Sequence, residues 1–195
     1  MRTPSGCKVN ASDIVRIRDA RLGDVDTLAR IELETARRFA PGVLRPHLVR
    51  PVPPSRLRAA IDASLLWVAE HTCDGPVGFV LAERHGASLH IGELDVRPDF
   101  GRRGIGTFLV AYSCQIAAVR GLRFVTLTTL EHVPWNAPFY ARLGFVPVTN
   151  VRRFLHLQRA LRHERGIGLR GSIAMFRRSA RLSWPGTCRS TAGSG

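Results

Sequence analysis

The sequence predicts a mixed α/β domain. Its central sheet has six to seven strands, an antiparallel N-terminal half and a β-α-β C-terminal half, with helices flanking. Three observations predict it. Three strand-like stretches, "LLWVAEH" (65–71), "PVGFVLAER" (76–84) and "SLHIGELDV" (88–96), are joined by links short enough for hairpins, so they are antiparallel neighbours. Next, Ile105, Phe108, Leu109, Tyr112, Ile116 and Val119 recur at helical spacing before the β-branched stretch "FVTLTTL" (124–130), which makes that helix a crossover between strands. Finally, 195 residues with 45% hydrophobic content suit one core better than two.

The remaining elements follow in order. "DIVRIRDA" (13–20) has the pattern of a first strand. Asp24 is placed to cap a helix running to about Ala40, with Val25, Leu28, Ile31 and Ala36 at helical spacing and Pro41-Gly42 stopping it. A proline-rich loop (Pro46, Pro51, Pro53, Pro54) leads to Ser55, which can cap a second helix, "RLRAAIDAS". The crossover helix ends at Gly121. Beyond 124–130 come a short helix "APFYARL" (137–143), a strand "FVPV" after Gly144, a basic helix over 153–165 and a last strand "SIAMFRR" (172–178). Residues 1–12 and 179–195 read as a disordered leader and a disordered basic tail, leaving one domain over 13–178.

Composition narrows the function classes. No run of about 18 uncharged apolar residues occurs, so no membrane span is expected. The first residues lack the apolar stretch of a secretory signal. The cysteines (Cys7, Cys73, Cys114, Cys188) are scattered with no Cys-x-x-Cys, which argues against a disulfide framework or a zinc site and makes the cytoplasm the expected setting, with no metal. The net charge is +14, and from Arg152 onward ten arginines face one acid, Glu164. Such a segment can attract nucleic acid. Its aromatics are only Phe154, Phe176 and Trp184, too few to interleave with the charge, so a solvated basic face is the plainer reading.

The stretch "VRPDFGRRGIGT" (96–107) sets Arg102 and Arg103 against Gly104-Ile105-Gly106 where a strand gives way to a helix. A helix N-terminus exposes unpaired N–H groups and partial positive charge, and glycines let a ligand approach that backbone closely. A diphosphate suits such a cradle. It is not a P-loop, because Thr107 and Phe108 stand where Lys and Ser or Thr would be needed. Gly166, Gly168 and Gly171 have dinucleotide-fingerprint spacing, but they follow a helix and precede a strand, the reverse of what that motif requires.

In its wider frame, "LDVRPDFGRRGIGTFLV" (94–110) resembles the acyl-CoA-binding motif of the GNAT superfamily of N-acetyltransferases. That motif is a strand, a proline-containing turn and a glycine-rich opening of a helix. The resemblance continues in "LTTLEHVPWNAPFYARLGFVPV" (127–148), through Asn136, Phe139, Tyr140, Gly144 and Phe145, and in the order of elements from near Ile14 to near Met175. One departure stands out. Gly101 occupies the position where the family usually has Gln or Arg, and the arginine has moved to Arg102.

The resemblance implies a GNAT-like fold and acetyl-CoA as co-substrate. It also implies direct attack by a primary amine, on a small molecule or a peptide, with no covalent enzyme intermediate; a homodimer is compatible with it. Arg102, Arg103, Gly104, Ile105, Gly106 and Thr107 would cradle the diphosphate, and Asn136 would hold the cofactor arm or cap the helix that begins at Ala137. The N–H of Leu94 or Val96 would meet the developing oxyanion, and that strand edge would pair with the pantetheine amides. Tyr140 would be the general acid for the departing thiolate, since a phenol is fully protonated at neutral pH. Glu93 is the candidate general base, directly or through water, with a structural role at a sheet opening as its alternative. Glu93 and Asp95 share a face if the strand is regular, and His90 alternates out of phase with them. His132, Trp135, and Glu32, Glu34, Arg37 and Phe39 on the first helix are candidates for the acceptor pocket. A non-catalytic acyl-CoA-binding regulator is the alternative to an enzyme.

Overall fold

The computed structural model describes residues 15–37, 51–133 and 135–179. The strands are β1 (Val15–Asp19), β2 (Leu66–His71), β3 (Gly75–His85), β4 (Ser88–Val96), β5 (Phe124–Leu130), β6 (Val146–Pro147) and β7 (Ser172–Arg178). The helices are α1 (Val25–Ala36), α2 (Pro54–Asp62), α3 (Ile105–Val119), α4 (Ala137–Arg142) and α5 (Leu155–Gly166). All seven strands form one sheet in the order β1-β2-β3-β4-β5-β7-β6. β1 to β4 are antiparallel, β4 and β5 are parallel neighbours across the α3 crossover, and β7 returns antiparallel to β5. The mixed sheet expected from hairpin spacing and crossover is therefore present.

Two apolar layers hold the sheet. On one face Ile105, Leu109, Val110 and Ala117 of α3 pack on Trp67, Val80, Leu89, Ile91, Val125 and Leu127. On the other, Val25, Leu28 and Ile31 of α1 and Leu57 and Ala60 of α2 pack on Val68, Phe79 and Leu81. Burying one such large side chain contributes about 1.5–3 kcal/mol, so these layers fix where the strand ends lie. Phe108 and Val119, counted on the buried stripe of α3 by spacing, instead face outward. A stripe wide enough to include them exceeds what one sheet face can cover.

Several boundaries differ from expectation. Asp24 flanks α1 but makes no side-chain cap. Its carboxylate instead accepts the Arg21 N–H at 2.7 Å and two bonds from the Arg18 guanidinium at 2.7 and 3.0 Å. α2 starts at Pro54 rather than after Ser55, because a proline at the first helical position loses no hydrogen bond. The strand "FVPV" shrinks to Val146–Pro147. Gly168 and Gly171 adopt left-handed φ in the turn between α5 and β7, so the fingerprint-spaced glycines form no βαβ unit. Cys73 is disulfide-bonded, contrary to the expectation from spacing, and Cys114 is a free thiol. No helix among the described residues is long and apolar enough to cross a membrane. The expected leader, the tail from 180 onward, and Phe39 lie outside the described residues.

Candidate active site

β4 and β5 pair only over their first halves, from Ser88↔Phe124 to Ile91↔Leu127. Beyond that the strands part, and Glu93–Val96 lose their partner on the β5 side while still pairing with β3. Arg97 N–H donates to the Val77 carbonyl on the β3 side at 2.9 Å. Alternation along the strand therefore turns the N–H groups of Leu94 and Val96 the other way, into the gap. A gap with free backbone donors on one wall can accept an extended chain that carries amides.

The register of β3 and β4 slips between Leu81↔Glu93 and Ala82↔Ile91, so Gly92 is an extra residue in β4. The bulge reverses the two faces. Leu89 and Ile91 point to the α3 layer before it, and Leu94 and Val96 do so after it. Glu93 and Asp95 thereby join the face of His90, which corrects the expectation that His90 alternates out of phase with Glu93. A Cβ on Gly92 would lie 3.1 Å from Nη2 of Arg56, whose guanidinium donates to Glu83 at 3.0 and 2.6 Å. The missing side chain leaves the place that Arg56 fills.

The two carboxyls after the bulge sit in an enclosed, acidic setting. Burial first, then the charges of Asp95 and Glu32, raise the Glu93 carboxyl well above its ordinary range. Burial and Glu32 push Asp95 up to about 7, against a hydrogen bond from Thr35. Glu93 makes no hydrogen bond or ion pair among the described residues, and its side chain is half-buried and lines a cavity. A carboxyl of raised pKa that lines a cavity is suited to taking up a proton.

At the wider end of the gap, α3 begins. Gly104 flanks its first turn with φ 81° and ψ −2°, and Arg102 also takes a left-handed φ of 60°. The N–H groups of Ile105, Gly106 and Thr107 have no protein acceptor among the described residues. A Cβ at Gly104 would meet nothing within 4 Å, and one at Gly106 would meet Phe139 Cζ at 3.5 Å. The turn thus offers open, positively polarised backbone, and its chemistry fits a diphosphate. Arg102 and Arg103 are exposed, and the Arg103 guanidinium lies 4.8 Å from the centre of the Phe100 ring.

Tyr140 projects from α4 on the α3 side of the sheet, with its ring against Phe139 (5.0 Å between centroids) and Phe145 (5.8 Å). Burial first, then the charges of Asp95 and Glu93, raise its phenol, so it stays protonated at any physiological pH. Asn136 precedes α4 but makes no side-chain cap, which removes the simpler of its two expected roles.

On the Glu93 side opens a cavity of about 980 Å³. Its floor is β4 and β5 (His90, Gly92, Glu93, Thr128), one wall is Glu32 with Pro51–Pro53 and Arg56, and the other is α5. Of the first-helix candidates only Glu32 lines it, with its carboxylate accepting the Val52 N–H at 2.8 Å. Glu34, Arg37, His132 and Trp135 do not line it; His132 packs against Gly171, where a Cβ would overlap its ring. Among the described residues no cluster of three or more His, Cys, Asp or Glu side chains could hold a metal ion.

Residues 62–147 match the acetyltransferase (GNAT) domain. The match runs from the end of α2 to β6 and includes the parted strands, α3 and α4. A 91-residue stretch is 36% identical to an uncharacterised N-acetyltransferase of Methanocaldococcus jannaschii, covering 42% of this chain and 39% of that protein. The chain thus spans about two fifths of that relative's length. Among solved structures, the PaiA N-acetyltransferase of Thermoplasma acidophilum, in complex with coenzyme A, matches 85% of this chain and 99% of its own at 15% identity and a TM-score of 0.64. N-acetylglutamate synthase of Neisseria gonorrhoeae, complexed with coenzyme A and N-acetylglutamate, matches 86% of this chain and 36% of its own at 20% identity and a TM-score of 0.64. These two likenesses are likenesses of fold.

The cavity has a wall that the sequence reading passed over. His156, Arg159, Ala160, His163, Glu164 and Ile167 of α5 and its end all line the cavity. They recur at i, i+3, i+4, i+7, i+8 and i+11, a helical stripe whose period marks one face of α5 without saying what that face meets. Thr126 joins His90 Nδ1 (3.2 Å) to His156 Nε2 (2.9 Å), and His156 stacks on His85 with ring centres 4.6 Å apart. Burial, then the neighbouring histidines, hold His90 and His156 down at about 4, so both are neutral at physiological pH.

Proposed function

We propose that this chain is a GNAT-type N-acetyltransferase that transfers an acetyl group from acetyl-CoA to a primary amine by direct attack. The observation that carries the reading is the parted strand pair. The gap between β4 and β5 has free backbone donors on its wall, the open α3 turn at one end, and Tyr140 and Glu93 on its two sides. The cofactor would supply an activated thioester carbonyl. The N–H groups of Ile105, Gly106 and Thr107, with Arg102 and Arg103, would hold its diphosphate. The Leu94 and Val96 N–H groups would align the pantetheine arm and meet the charge that builds on the carbonyl oxygen, with Asn136 as a further donor to the arm. The acceptor amine would enter from the cavity. Glu93 would take its proton, directly or through water, and Tyr140 would give one to the sulfur that leaves.

The test is release of free thiol from acetyl-CoA against a panel of amines. Thiol release that depends on the amine is the expected result. If acetyl-CoA raises the melting temperature but no amine releases thiol, the domain binds acyl-CoA without turnover and the catalytic reading fails.

A further inference from the structure

The cavity is bipolar. At its floor, where β4 and β5 part, stands Glu93, with Glu32 and Glu164 on the two walls close enough to act on its charge and Glu164 accepting from the Thr128 hydroxyl. Its other Oε is buried without a hydrogen-bond partner. This end suits a protonated amine. The rest of the lining is of a different kind. Arg56 is neutralised by Glu83, which also meets His85 Nε2 at 3.1 Å. His90 and His156 are tied together through Thr126. That leaves Arg159, exposed on the cavity-facing stripe of α5, with no carboxylate partner among the described residues, and His163 one turn further along.

The geometry points to an acceptor that carries an anionic group, held by Arg159 at the cavity mouth while its amine reaches Glu93 at the floor. This rests on the transferase reading for the direction in which the amine points. Mouth and floor are one packing layer apart, on the order of 10 Å, so the anion belongs several bonds from the nitrogen. A guanidinium pairs with a carboxylate through parallel N–H donors, which a hydroxyl cannot match. A second cation in the same place would meet Arg159 and be repelled. His90 and His156 below it stay neutral. They therefore add polar surface without a charge that would draw a carboxylate away from the arginine.

Three amines of one length separate the outcomes: 6-aminohexanoate, 6-amino-1-hexanol and 1,6-diaminohexane. Thiol release gives kcat/KM for each, and titration calorimetry gives binding to the CoA-loaded protein without turnover. The expected result is a preference of at least about tenfold for the aminohexanoate over both others, one charge-assisted pair's worth. In R159A the ratio should fall toward one, and in R159K most of it should return. Equal kcat/KM for the three, or preference for the diamine, overturns the anion-bearing acceptor while leaving N-acetyl transfer standing. If no amine releases thiol, calorimetry decides. Selective binding of the aminohexanoate that R159A abolishes supports the site, and indifferent binding overturns it.

Discussion

The two glycines of the α3 turn should respond to the same substitution with opposite signs. Gly104 has φ 81°, a conformation that costs an L-residue about 1–2 kcal/mol. A Cβ there would touch nothing within 4 Å, so Gly104→Ala suffers this conformational cost and no clash. For a chain of this size each kcal/mol moves Tm by about 2–4 °C, giving a fall of about 2–8 °C. Gly106 lies inside α3 without a positive φ, and its Cβ would stand 3.5 Å from Phe139 Cζ and 3.9 Å from Val96 Cγ2, both ordinary contacts. Gly106→Ala therefore gains about 0.4–1 kcal/mol by restricting the unfolded chain, a rise of about 1–4 °C. Thermal melting of the three proteins reads both. On the proposed function, acetyl-CoA at about 100 times its dissociation constant should add roughly 2.7 kcal/mol to the wild type. That increment should survive in G106A and shrink in G104A, whose turn no longer holds the Ile105–Thr107 N–H groups in place. Equal signs for the two variants, or an undiminished increment in G104A, would refute the claim that the left-handed turn builds the cradle.

Three further outcomes follow from named contacts. Glu93→Gln should remove a rising limb of log kcat/KM against pH: a base must be ionised, and a carboxyl raised by burial ionises only above the ordinary carboxylate range. A variant that keeps the wild-type limb assigns it to another group. Gly78→Ala places a Cβ 2.8 Å from the Asp95 carbonyl and should cost about 1–3 kcal/mol by forcing β3 from β4, measurable as a lower denaturant midpoint with thiol release falling in step. Burial raises the Asp24 carboxyl, but Arg18 and the Arg21 N–H outweigh it, so its pKa is lowered overall. The stability it lends is present above the unfolded carboxyl range and lost as pH falls through its native value. Asp24→Asn, which leaves Arg18 with Glu70 alone, should therefore cost about 1–3 kcal/mol near pH 7 and progressively less in acid, by urea melts at several pH values.

Much of this was legible in the sequence because the fold depends on local signals. Hairpin links of a few residues fixed β2 to β4 as antiparallel, and the crossover helix fixed β4 and β5 as parallel neighbours. The Gly104 turn was legible because two glycines beside two arginines, where a strand gives way to a helix, mark a backbone open to an anion. The extra residue at Gly92 was not: a glycine inside a strand pattern marks a bulge without saying which face each flanking side chain takes. That one residue moved His90 onto the face of Glu93. The α5 wall was hidden for a different reason. Its pairing with the sheet depends on Thr126 meeting His156 and Thr128 meeting Glu164, contacts over about 30 residues or more that no local period encodes. Asp24 shows the same limit, since Arg18 on β1 claimed a carboxylate that local rules assigned to a helix cap.

The central claim is that Tyr140 gives up its proton to the sulfur that leaves as an amine attacks in the gap. Tyr140→Phe removes a hydroxyl and little volume, and the ring contacts with Phe139 and Phe145 remain. The decisive measurement is kcat for thiol release as a function of pH, for wild type and Y140F on the same amine, under conditions where chemistry limits the rate. The account predicts a loss of about 10²–10⁴ near neutral pH. The loss should shrink as pH rises toward the thiol's own pKa of about 8.5, where thiolate leaves unaided. Affinity for acetyl-CoA should be unchanged. Turnover by Y140F within about threefold of wild type at neutral pH, against the predicted range, would contradict the claim and leave Tyr140 as a packing residue of α4.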